Sequence, residues 1–214
     1  MTKAPKNIAI SVRDRLTHRA RERRESSQLL MTRYVIERLL YRLGRSPHRD
    51  HFVLKGAMLF SLWSPNPYRA TGDLDLLGAG DNAPSRLVEI FAEIFAIDVE
   101  DDGVVFRSAT LRAAPAREED QYSGVRLSFD AGLAGARLPI HVDIGYGDVV
   151  TPGAVEIEYP TLFDQPVPAL KAYPPETVVA EKLQAMVALG MLNVRWFLEQ
   201  IPWRFCPWRD RKHA

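Results

Sequence analysis

The segment Gly72-Asp73-Leu74-Asp75-Leu76 constrains the chain more than any other. Strand side chains point alternately to opposite faces, so in an extended conformation Asp73 and Asp75 share one face while Leu74 and Leu76 enter a core on the other. Two carboxylates so close repel each other unless a cation lies between them. Hard oxygen donors select Mg²⁺ or Mn²⁺. Upstream, Lys55-Gly56-Ala57 reads as a glycine turn, a place where backbone N–H groups approach a phosphate. A third acid, Asp143, comes much later, in His141-Val142-Asp143-Ile144-Gly145. Together these residues describe a Mg²⁺–nucleotide site.

Length and composition set the frame around that site. The 214 residues, 46% of them hydrophobic, suffice for one core and a small accessory lobe. A net charge of +1 argues neither for nor against a nucleic-acid partner. The single cysteine, Cys206, forms no internal disulfide, and five histidines without a His-x-x-x-His spacing argue against zinc. No Ser–His–Asp arrangement is supported by local sequence. The N-terminus lacks an apolar signal core, and no apolar run approaches the roughly 20 residues of a membrane span. The expectation is a soluble cytoplasmic protein.

Periodicity places the motifs on elements. Ile8, Val12, Leu16 and Ala20 mark a helix to about Arg24, and Ser26 or Ser27 caps a second that ends at Gly44, with Leu29, Ile36, Leu40 and Leu43 inward. Six arginines between Arg13 and Arg24 read either as a solvated helix face or as an RNA-facing patch. A short strand at 51–54 precedes the glycine turn and a helix to Trp63, and Ser64-Pro65-Asn66-Pro67 is a loop. The acid strand spans 72–77. An amphipathic helix from Ser85 presents Leu87, Ile90, Phe91, Ile94 and Phe95 on one face. Strands are expected at 103–106 and 111–113, followed by a hairpin. In it Val125, Leu127 and Phe129 alternate before Ala134-Gly135-Ala136, and Leu138, Ile140, Val142 and Ile144 alternate after it, with Asp143 on the opposite face. Pro174-Pro175 opens a last helix whose inward stripe is Val179, Leu183, Met186 and Gly190. Lys182 lies beside that stripe, within reach of a triphosphate. The chain divides into an N-terminal helical segment (1–50), a core (51–193) and a tail (194–214).

Each feature alone is ordinary. An Asp-x-Asp pair occurs at solvated strand ends, and also in Mg²⁺-dependent glycosyltransferases that hold a nucleotide diphosphate. The ordered series of strand, glycine turn, helix, two-acid strand and later third acid is far more specific.

Four segments carry a family resemblance over roughly residues 25 to 193. They are Phe52-Val53-Leu54-Lys55-Gly56-Ala57-Met58-Leu59-Phe60, Arg69-Ala70-Thr71-Gly72-Asp73-Leu74-Asp75-Leu76-Leu77, Val142-Asp143-Ile144-Gly145-Tyr146-Gly147-Asp148 and Tyr173-Pro174-Pro175-Glu176-Thr177-Val178-Val179-Ala180-Glu181-Lys182. In that order they resemble the AbiEii/AbiGii (MenT-like) nucleotidyltransferase toxins. The resemblance implies an α+β, polymerase-beta-like nucleotidyltransferase fold, a small mixed sheet flanked by helices. It implies transfer of a nucleotidyl group from an NTP, toxin activity opposed by a cognate antitoxin, and tRNA as an acceptor for some relatives. Site roles follow from it: Gly56 and Ala57, next to Lys55, line the phosphates, and Arg69 matches the basic residue before the acids. Asp73 and Asp75 hold Mg²⁺, Lys182 contacts the triphosphate, and Asp143 binds a second metal or acts as base. Many relatives carry a glycine or serine where Ala57 stands.

The tail departs from that pattern. Three of four tryptophans, Cys206 and two prolines fall after Val194, and the Lys-Asp-containing motif and helical lobe that follow in relatives are absent. The expectation is a truncated or frameshifted end. Two functions then compete: an active nucleotidyltransferase, or an inactive remnant that binds only nucleotide or antitoxin. Loss of a lobe would bare the last helix's apolar stripe and favour self-association. A Mg²⁺-dependent glycosyltransferase is the third reading.

Overall fold

A computed structural model describes residues 7–63, 72–116 and 124–189. Arg69, Gly190, the Met186 side chain and the 194–214 tail lie outside the described residues.

Helix α1 (Ile8–Arg23) is capped by Asn7, whose Oδ1 accepts from the N–H of Ile10 at 3.1 Å, and it ends at Arg24 in the left-handed conformation. Its stripe Val12, Leu16 and Ala20 is buried. Helix α2 (Ser27–Arg45) begins from the Ser26 hydroxyl, which accepts from the N–H of Leu29. Gly44 does not end this helix. Ser46 does, donating both its N–H and its hydroxyl to the carbonyl of Leu43. Gly44 instead marks a close approach, since a Cβ there would lie 2.6 Å from the carbonyl oxygen of Ala169. Leu30, Ile36, Leu40 and Leu43 are fully buried, whereas Leu29 is only half-buried.

The sheet contains eight strands among the described residues. They are β1 (Phe52–Lys55), β2 (Asp73–Gly78), β3 (Val104–Phe106), β4 (Arg112–Pro115), β5 (Val125–Leu133), β6 (Ala136–Gly145), β7 (Val155–Glu158) and β8 (Ala169–Ala172). Their order is β3-β5-β6-β2-β1-β8-β7, with β4 also paired to β5. The β2–β6 and β1–β8 pairs are parallel and the others antiparallel, so the sheet is mixed as expected. A 3-10 turn (Gly56–Leu59) and the short α3 (Phe60–Trp63) follow β1, where a longer helix was expected. Helix α4 (Pro84–Phe95) buries Leu87, Ile90, Phe91 and Ile94, and Phe95 stacks on Phe106 and meets Phe129.

Alternation divides the sheet's two faces. Leu54, Leu74, Leu76, Leu127, Val142 and Ile144 are buried and share one core with α1, α2 and α4. Lys55, Asp73, Asp75, Arg126 and Asp143, each one residue away, occupy the other face.

Helix α5 (Pro175–Leu189) packs differently from its sequence pattern. Thr177 and Val178 are the buried positions, whereas Val179 is 37% and Leu183 48% exposed. The Thr177 hydroxyl sets this rotation by donating to the carbonyl of Thr151 at 2.7 Å.

Among the described residues, three of the six arginines from Arg13 to Arg24 meet other segments. Arg13 donates to the carbonyl of Ala134 at 2.8 Å, Arg19 to that of Leu162, and Arg15 lies 3.9 Å over the ring of Phe163.

Candidate active site

Strand register assembles the site. β2 sits between β1 and β6, pairing Asp75 with Lys55 on one side and with Asp143 on the other. Neighbouring strands are about 4.8 Å apart. Asp73 is paired in the same way with His141, whose Nδ1 is 3.1 Å from the hydroxyl of Ser128. Two acids from one strand and a third from its parallel neighbour thus share one face, with Asp143 directly beside Asp75. Burial pushes the Asp75 carboxyl above its usual range, and the negative charge of Asp143 adds to that effect. Lys55 and Lys182 oppose it.

Gly56 is shaped around Asp75. Its φ of +73° lies in the region that favours glycine. A Cβ there would overlap Oδ2 of Asp75 and lie 2.7 Å from its Cγ. The glycine therefore leaves room for the acid as well as forming the turn. Two contacts hold that turn in place: the Tyr159 hydroxyl donates to the carbonyl of Met58 at 3.1 Å, and the N–H of Tyr173 donates to Leu54 at 2.9 Å.

Lys55 is held within a second set of groups. Its Nζ is 2.5 Å from Oδ2 of Asp148 and 3.8 Å from Oε1 of Glu181, and it lies 5.8 Å from the centre of the Tyr173 ring. The Tyr173 hydroxyl donates to the same Asp148 oxygen at 3.0 Å. Burial, followed by the Glu181 and Asp148 charges, pushes the Tyr173 phenol up. Burial also raises Glu181, with Lys55 opposing. Lys182, one residue on, is half-buried on α5, and its charge acts on both Asp75 and Glu181.

Asp143 meets Arg126 across the β5–β6 ladder. Nε and Nη2 of the guanidinium lie 2.6 and 2.7 Å from its two oxygens, a bidentate pair. Beside the pair is a cleft of about 450 Å³, walled by Arg112 to Ala116, Arg126, Ser128 and Asp143. Among the described residues no three His, Cys, Asp or Glu side chains are gathered as a metal cage. The donor chemistry nevertheless fits a hard divalent cation: three carboxylates share one face, and Asp75 is raised by burial with the charge of Asp143 adding to it.

A family model for the nucleotidyl transferase AbiEii toxin of type IV toxin–antitoxin systems matches residues 38–210. The chain belongs to the AbiEii family. The match starts later than the resemblance noted above and extends into the tryptophan-rich tail. Two Helicobacter pylori crystal structures are similar to it. JHP933 is 16% identical, with 75% of this chain and 58% of that one covered at a TM-score of 0.49. A second, described as a nucleotidyltransferase, is 17% identical, with 74% and 59% covered at a TM-score of 0.48. The chain thus spans somewhat under two thirds of the length of the solved structures it matches. No curated protein matches.

In this AbiEii-family chain the structure brings Lys55, Gly56, Ala57, Asp73, Asp75, Asp143 and Lys182 to one region of the sheet. Sequence reasoning assigned no role to Arg126, Asp148, Tyr173 or Glu181. Three of these lie inside the family-like segments, and that placement was the available signal. Arg126 lay outside them, and its signal was its place on the polar side of the Val125, Leu127 and Phe129 alternation. Among the described residues no helix is long and apolar enough to cross a membrane.

Proposed function

We propose that this AbiEii-family chain transfers a nucleotidyl group from an NTP to an acceptor hydroxyl with Mg²⁺, as a cytoplasmic toxin restrained by a cognate antitoxin. The carrying observation is the register that pairs Asp75 with Lys55 on one side and with Asp143 on the other. Asp73, Asp75 and Asp143 hold the cation, which when bound supplies charge stabilisation to the attacking and leaving oxygens. Gly56 and Ala57 offer backbone to the phosphates, Lys182 offers an ammonium to the triphosphate, and Arg69 adds a further basic group. With Asp143 held as a cation ligand, the acceptor hydroxyl gives its proton to solvent. The acceptor oxygen bonds to the α-phosphorus in line as the bond to the β-phosphate oxygen breaks, and pyrophosphate leaves. The protein's contribution is mostly positioning.

The test uses each labelled NTP with a tRNA pool and Mg²⁺. Transfer by the parent, its loss in Asp75→Asn, and an unchanged melt of that variant are the expected results. An active Asp75→Asn protein would overturn the site assignment. A melt raised by Mg²⁺–NTP without transfer to any acceptor would select the binding-only reading, by mass action on the native state. Preference for a sugar nucleotide over a free NTP would select the glycosyltransferase.

A further inference from the structure

Arg126 stands on the acid face, and the reaction outlined above gives it no task. It stands directly opposite Asp143 in the antiparallel register, and its Nε and Nη2 occupy both carboxylate oxygens at 2.6 and 2.7 Å. On the far side of Asp143 the parallel register places Asp75, with Asp73 two residues back. The cross-strand row from Asp75 to Asp143 therefore ends on a guanidinium, which supplies positive charge where the donor set otherwise calls for a cation. The contact can open without disturbing the core. The Arg126 side chain is 53% exposed and that of Asp143 28%, both on the face away from the buried leucines. The cleft of about 450 Å³ beside it, walled by β4 from Arg112 to Pro115, gives the guanidinium somewhere to turn.

The geometry points to Arg126 as an internal counter-cation: it holds Asp143 until a divalent cation takes that carboxylate, and the released guanidinium then turns into the cleft beside Arg112. The inference rests on the cation site proposed above. No bond to carbon or phosphorus changes in this step; one ion pair is exchanged for another. Arg126 is in this sense a positioning residue, because it keeps the third carboxylate in register before substrate arrives. Cation and guanidinium compete for the same two oxygens, so removing the guanidinium tightens cation binding. An arginine that merely braced two strands would lower stability on removal without that gain.

The test measures free Mn²⁺ by electron paramagnetic resonance during titration of the purified full chain, without nucleotide. Arg126→Ala should bind Mn²⁺ roughly fivefold more tightly than the parent, the scale of a partly exposed ion pair. Arg126→Lys, which keeps the charge and loses the fork, should fall between them. Arg112→Ala removes a cleft charge that does not hold Asp143, and should stay close to the parent. Melts establish that each variant folds, and Arg126→Gln replaces the alanine variant if that one does not. Unchanged or weaker Mn²⁺ binding in the Arg126 variant overturns the inference, as does equal tightening in Arg112→Ala, which would mean only a diffuse charge effect. Binding that needs Asp75 but ignores Arg126 overturns this inference alone. No Mn²⁺ binding by the parent overturns the cation site and the inference together.

Discussion

At Gly56 two constraints coincide on one residue. The backbone is left-handed there, and the space a Cβ would take belongs to the Asp75 carboxylate. Gly56→Ala meets both at once: roughly 1 kcal/mol of backbone strain and a displaced carboxylate. Catalysis is more sensitive than folding to a shift of this size, since a misplacement of about 1 Å costs around a hundredfold in rate. The expected outcome is a modest fall in melting temperature with nucleotidyl transfer reduced by about two orders of magnitude. Comparable loss of stability and full activity would show that Asp75 accommodates the methyl group and that the glycine serves the turn alone.

At the scale of elements, the β5–β6 hairpin delivers Asp143, and its two-residue turn is Ala134-Gly135. Both residues have positive φ, +46° and +79°, the geometry that matches the right-handed twist of the strands. Glycine tolerates this readily and alanine does not. Ala134→Asn or Ala134→Gly should therefore raise stability by roughly 0.5–1 kcal/mol in denaturant unfolding while leaving the register of Asp143 unchanged. Helix α2 is fastened to the approach to β3 by Arg42, whose Nη1 is 2.7 Å from Oδ2 of Asp102, both side chains being 7% exposed. Asp102 Oδ1 also accepts from the N–H of Val104 at 3.0 Å. Arg42→Met would keep much of the volume and strand a buried carboxylate, so a loss of about 3 kcal/mol is expected in the same assay. An Arg42→Met/Asp102→Asn double variant should recover part of that loss, because it removes the stranded charge.

For the whole molecule, Glu37 joins layers distant in sequence. It is fully buried on α2, takes Arg33 Nε at 3.1 Å on one oxygen and the N–H of Leu162 at 2.9 Å on the other. Leu162 also receives Arg19 from α1. Burial outweighs these partners and pushes the Glu37 carboxyl from its usual 4.5 up to about 7. The folded state therefore favours the protonated form. The stability linked to it is fully present below about pH 4.5 and is lost as pH rises through about 7. Melting temperatures followed across that window should decline in the parent through this group, and Glu37→Gln should flatten the decline. An identical slope in both proteins would mean that the Arg33 pairing keeps Glu37 ionised throughout.

The sequence by itself determined what depends on local pattern. Alternation around Asp73 and Asp75 separated an acid face from a leucine face, and the Val125–Ile144 alternation predicted the hairpin and the orientation of Asp143. The order of four short segments pointed to the family. These signals survive in one dimension because strand periodicity is a property of adjacent residues. Tertiary structure decided everything that depends on register between distant segments. It paired Asp75 with Asp143 rather than with a neighbour one residue away, aimed Arg126 at Asp143, and closed Asp148, Tyr173 and Glu181 around Lys55. It also turned α5 so that Thr177 and Val178 face inward, made Gly44 a contact with β8 instead of a helix stop, and paired β7 and β8, which carry no alternation long enough to read. For the strands the reason is that a one-residue slip in pairing reverses every side chain, and only the packed core selects among those slips; for the helices it is that rotation and close approach are set by the partner surface.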